Sequence, residues 1–144
     1  MTDRGLSTTV SYVLTLSITA LLIIGLILAT SGAVESQRQT VTREELRVIG
    51  QQIASRLLAA DRLAATGAET VRIEYTAPSD VAGSDYRIEV RDGDPATLYL
   101  NATDLDTSVS IPVSADADVV ETSVRGGGIE IVLTDPGELE VRAA

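Results

Sequence analysis

The chain contains no histidine, cysteine, lysine, tryptophan or phenylalanine. Without thiol or imidazole it can build no Cys- or His-ligated metal site, no disulfide framework and no Ser-His-Asp or Cys-His nucleophile. Without lysine it has no phosphate-loop lysine and no Schiff base. Carboxylate, hydroxyl and guanidinium groups are the chemistry that remains. No carboxylate pair stands out among the sixteen acids of residues 67–144, so the chain is expected to be no enzyme and to use no cofactor.

What is present points to a folded chain: 144 residues, 44% hydrophobic and 22% charged, enough for one ordinary domain and an appendage. The net charge of −10 is unevenly spread. Residues 1–66 carry six Arg against five acids, a net of +1, whereas residues 67–144 carry five Arg against sixteen acids, a net of −11. A surface so negative repels phosphate backbones, and nucleic acid is not an expected partner. Acidity with arginine as the sole base is similar to the protein style of salt-loving archaea.

Leu6 to Ala29 runs twenty-four residues without a charge. As a helix it spans about 36 Å, sufficient for a hydrocarbon core of about 30 Å with some tilt. Membrane lipid is therefore an expected partner. Ser7, Ser11, Thr15 and Thr19 recur every four residues and share one helix face. They are candidate helix-packing residues, because small side chains let a second backbone approach in lipid; equally, each hydroxyl can bond back to the carbonyl four residues earlier.

The amino terminus admits three readings. A secretory signal would have a shorter apolar core, of about 7–15 residues, with cleavage near Ala29-Thr30-Ser31-Gly32-Ala33. An uncleaved anchor is the second. The third rests on Asp3-Arg4-Gly5 set directly before the apolar run, with a helical pattern continuing after it. That arrangement resembles the class III signal of type IV pilin-like and archaellin-like proteins over residues 1–66, and the apolar stretch looks closer to the pilin-like proteins of haloarchaeal envelopes than to the main haloarchaeal adhesion pilins. Val10 occupies the fifth position after Gly5, where bacterial pilins carry Glu. The resemblance implies leader processing at Arg4, Gly5 and Leu6 by a prepilin-type peptidase, a mature chain beginning at Leu6, and other pilin-like subunits as partners.

Beyond Gly32 the chain turns polar yet keeps a helical period. Leu46, Ile49, Ile53 and Leu57 form an apolar stripe, for which packing on the chain's own β domain is the expected cover. Thr42 followed by Glu45 reads as a capping box, which would allow a break near residues 31–41, and Ala64-Ala65-Thr66-Gly67 supplies a glycine stop. From Glu69 the period becomes alternating. Val71–Tyr75, Tyr86–Val90, Leu98–Leu100, Val109–Val113, Val119–Val124, Ile129–Leu133 and Leu139–Arg142 are predicted strands. Ala82-Gly83-Ser84, Asp92-Gly93-Asp94-Pro95, Gly126-Gly127-Gly128 and Asp135-Pro136-Gly137 are the turns between them. With four tyrosines as the only aromatics, the core must be aliphatic.

The predicted organisation is thus α+β: leader 1–5, transmembrane helix 6–29, amphipathic helix 30–66, and an acidic extracellular β domain 67–144. Six or seven antiparallel strands would form a meander or small sandwich. Asp92-Gly93-Asp94, Asp104-Leu105-Asp106 and Asp116-Ala117-Asp118 repeat every twelve residues, but Ala96, Thr97 and Thr103 stand where a calcium loop needs ligand, Gly and Glu, so no metal site is expected. Asn101-Ala102-Thr103 is an N-glycosylation sequon, placed by this reading in the loop after the Leu98–Leu100 strand. The expected role is a single-pass pilin-like envelope subunit with its β domain outside the cell. An uncleaved, monomeric, membrane-anchored binding or scaffolding module is the alternative.

Overall fold

A computed structural model of the chain describes residues 3–134 and 137–144, with side chains from residue 7 onward. One helix, α1, covers Asp3–Ala65 without interruption. The break anticipated near residues 31–41 is absent. Thr42 is no N-cap: it is fully buried within the helix, on the face that Leu46 continues one turn later, and ending the helix there would forfeit that packing. The carboxyl end follows the sequence closely. Gly67, at φ +87°, donates to Ala64 O at 2.9 Å and Ala68 donates to Leu63 O at 3.4 Å, the paired bonds of a Schellman cap that only a left-handed residue closes without strain.

The chain divides into two compact units, residues 1–37 and residues 38–144. In the first, every described side chain of α1 is exposed. In the second, the rest of α1 joins a β structure of eight strands: β1 Arg72–Thr76, β2 Asp80–Val81, β3 Ser84–Arg91, β4 Ala96–Ala102, β5 Ser108–Val113, β6 Thr122–Arg125, β7 Gly128–Thr134 and β8 Glu138–Ala143. The ladders are antiparallel, in order β1-β7-β8 in one sheet and β2-β3-β4-β5 in the other, where β6 also pairs with β3. An isolated parallel bridge, Val119 to Leu139, joins the approach to β6 to β8 and so links the two sheets. Leu139 donates to Asp118 O and Val120 to Leu139 O, both at 2.8 Å.

Among the described residues, eight strands stand where six or seven were expected. The added one is β2, two residues long, and too short to show an alternating pattern. The long strand anticipated over 119–124 is instead the Val119 bridge followed by β6.

Inward-facing residues of both sheets and the α1 stripe form a single hydrophobic cluster. Leu46, Ile53 and Leu57 are wholly buried and Ile49 is 5% exposed, alongside Ile88, Leu98, Leu100, Ile131 and Val141. The stripe's cover is therefore intramolecular. At Gly50 the helix lies close against the sheet: a β-carbon there would overlap Ile111 Cδ1 and Leu100 Cδ1. A helix-interior glycine costs about 1 kcal/mol relative to alanine, and here it makes room for those two side chains.

Candidate functional site

Two surfaces offer function. The first is the exposed part of α1. An 18-residue window within Ser7–Ala65 has a mean hydropathy of 2.5 and no buried position, so the helix is long and apolar enough to cross a membrane. Val10, Tyr12, Leu21, Leu22 and Leu26 are each more than 60% exposed. Such a surface is stable in lipid and not in water.

Ser7, Ser11, Thr15 and Thr19 all lie exposed along this part of the helix. Thr15 donates to Ser11 O at 2.9 Å and Thr19 to Thr15 O at 2.8 Å. Ser17 donates to Val13 O in the same way. These hydroxyl protons are already satisfied within the helix, and what Thr15 and Thr19 present outward is small size and an acceptor oxygen. The side chains of Arg4, Gly5 and Leu6, the expected processing residues, lie outside the described residues.

The second surface is the outer face of the β structure. Asn101 is not in a loop but on β4, the residue before its end, exposed and paired across the ladders with Arg87 on β3 and Ser108 on β5. It sits there because the register that buries Leu98, Leu100 and Ala102 turns residue 101 to solvent. A polar cleft of about 480 Å³ adjoins it, lined by Arg87, Glu89, Thr103, Asp104 and Asp106.

The acidic repeats do other work. Asp92 Oδ1 accepts the Gly93 backbone N–H at 2.8 Å within its turn. Asp116 and Ala117 offer backbone N–H groups to the Asp61 carboxylate of α1, Ala117 at 2.9 Å and Asp116 at 3.2 Å. Among the described residues no group of three or more acidic side chains is placed to hold a metal ion. Gly126 and Gly127 turn the chain between β6 and β7, where the Gly126 N–H extends the ladder to Tyr86 O at 2.9 Å. Asp135 and Pro136 of the remaining turn lie outside the described residues.

Several structural features had no sequence signal. Tyr86 is wholly buried and donates to Pro78 O at 2.7 Å; burial pushes its phenol up to about 12, with Tyr75 and Asp80 adding to the shift and a backbone hydrogen bond with Gly127 opposing it. Tyr75 donates to Gln52 Oε1 at 2.5 Å, and the Arg56 guanidinium lies 4.0 Å from its ring centroid. Beside that contact, a groove of about 610 Å³ between α1 and the β1–β2 segment has an apolar floor of Val48, Ile49 and Pro78 and an acidic rim of Glu44, Glu45 and Asp80. On β7, the strand next to β1, Glu130 is 8% exposed and takes ion pairs from Arg72 and Arg142 on the flanking strands. That arrangement satisfies a buried carboxylate rather than forming a site.

Comparison with curated proteins and with solved structures gave no match. A family model does match, over residues 1–144, and the chain belongs to that family, described as a family of unknown function, DUF7266.

Proposed function

We propose that the chain is a single-pass, pilin-like envelope subunit of a salt-adapted archaeal surface, held in the membrane through α1 and displaying residues 34–144 outside the cell. The division of labour along α1 carries this reading. Its residues 7–41 are exposed and include the apolar window, while residues 42–61 bury a stripe in the β core. A solitary anchor needs only the first property; the buried stripe makes the outer part of the same helix a member of the β core. The acidic balance of residues 67–144 fits a surface exposed to concentrated salt, where screening removes self-repulsion. Arg4-Gly5-Leu6 supplies the expected processing point for a prepilin-type peptidase. The back-bonded Thr15 and Thr19 favour the second reading, an uncleaved monomeric anchor carrying a binding or scaffolding module.

The chain has no cysteine, so one introduced at Ser11 is a clean reporter. In its own membrane, Ser11→Cys is expected to crosslink to a neighbouring subunit, and protease added to intact cells to remove the β domain. A protected β domain would contradict the orientation. An accessible β domain with no crosslinked partner would favour the monomeric anchor.

A further inference from the structure

We propose that Asn101 is the acceptor of an N-linked glycan, an inference that rests on the reading that places residues 34–144 outside the cell. Asn101 is the only asparagine of the 144 residues, and it falls in a sequon with no proline at its middle position. Asparagine is disfavoured within strands, yet this one lies inside β4. The fold gives no reason for it. Its amide makes no hydrogen bond among the described residues, and the side chain is exposed on the outer face while Leu100 and Ala102 on either side are buried.

Both recognition side chains reach solvent, Asn101 from the next-to-last position of β4 and Thr103 from the bend just past its end. Asn101 and Thr103 are two residues apart and both exposed, with the buried Ala102 between them. A glycan attached here extends into solvent without displacing any core side chain. The adjoining 480 Å³ cleft, with Arg87, Asp104 and Asp106 in its lining, offers a donor and acceptors for the hydroxyls of the first sugar. The arrangement suits a saccharide because it is polar, open and rich in groups that bond to hydroxyls from the side.

The donor is a polyisoprenyl-phosphate-linked oligosaccharide, used by a membrane transferase. The Asn101 Nδ2 forms a bond to the anomeric carbon of the first sugar as the bond from that carbon to the phosphate oxygen breaks. The lipid phosphate leaves with the bonding pair, and the amide gives up one proton to a base. No oxidation or reduction takes place. Thr103 contributes the hydroxyl by which the sequon is recognised.

The test is mass analysis of the tryptic peptide running from Asp92 to Arg125, cut from full-length protein extracted from the membrane of cells that make it. The wild-type peptide is expected to exceed its sequence mass by a whole number of sugar residues, with the excess localised to Asn101 by fragmentation. Asn101→Gln and Thr103→Ala are expected to lose the excess completely and Thr103→Ser to keep it. An unmodified wild-type peptide, or an excess that persists in Asn101→Gln, would overturn the inference. Surface proteolysis on the same cells separates the two failures: a bare Asn101 on an accessible β domain rejects the glycan alone, whereas a bare Asn101 on a protected domain rejects the orientation and the glycan with it.

Discussion

The Asp61 carboxylate of α1 accepts the backbone N–H of Ala117 at 2.9 Å, across 56 residues of sequence. Asp116 donates to both oxygens of the same carboxylate at 3.2 Å, so the last turns of the helix hold the segment between β5 and β6 through main-chain bonds. Asp61 itself is 7% exposed.

Replacing Asp61 by alanine removes a charged acceptor from two backbone donors; Asp116 is exposed and Ala117 half-buried, so water takes up part of the loss and the total cost is about 1–3 kcal/mol. Asp61→Asn keeps one acceptor oxygen and should lose less. Thermal unfolding of the detergent-extracted chain checks this, and an alanine variant as stable as wild type would show the 116–117 segment to be held by packing alone.

Gly50 predicts a steric dependence in the opposite sense. Alanine should be close to neutral, because the helix gains about 1 kcal/mol while the mobile ends of Ile111 and Leu100 give way. Valine should destabilise by about 1–3 kcal/mol through overpacking. Adding Ile111→Ala to Gly50→Val should recover part of that loss, and a double-mutant cycle by denaturant unfolding measures the coupling.

Tyr86 makes stability fall at alkaline pH. Its phenol is raised in the folded chain from 10.0 to about 12, so below pH 10 the stabilisation is intact in full. Between 10 and 12 the unfolded chain gives up its proton first, and stability declines by about 1.4 kcal/mol per pH unit. With no lysine to titrate alongside, Tyr86→Phe should flatten the curve in that window. Denaturant midpoints taken from pH 9 to 12 on both proteins test it; equal slopes would contradict the assignment.

Local periodicity made most of this fold legible. The stripe Leu46, Ile49, Ile53, Leu57 is the buried face of α1, and the alternations around Ile73, Ile88 and Ile131 mark true strands. Signals carried by two or three residues misled or were silent. Thr42 and Glu45 have the spacing of a capping box, yet the full burial of Thr42 within the helix overrides it. Nothing local distinguishes Asp116 and Ala117 as a segment gripped by Asp61, since the grip exists only once distant segments meet. Asn101 lay at the end of a short apolar run, and only the register with Arg87 and Ser108 shows that β4 extends past it.

If α1 packs against other subunits, replacing Ser7, Ser11, Thr15 and Thr19 together by leucine should leave insertion intact, because leucine partitions into lipid more favourably. Association should fall, both from blocked backbone approach and from lost cross-helix bonds worth about 0.6 kcal/mol each. Crosslinking yield in the membrane, compared with wild type, reports the difference. An unchanged yield would place the contact on another face.

The central claim, a processed pilin-like subunit that keeps its hydrophobic helix, is tested most directly by the amino-terminal mass of the membrane-extracted chain. The account expects a mature protein that starts at Leu6 and keeps its hydrophobic helix. A chain still beginning at Met1, or one cut between Ala29 and Ala33, would contradict it.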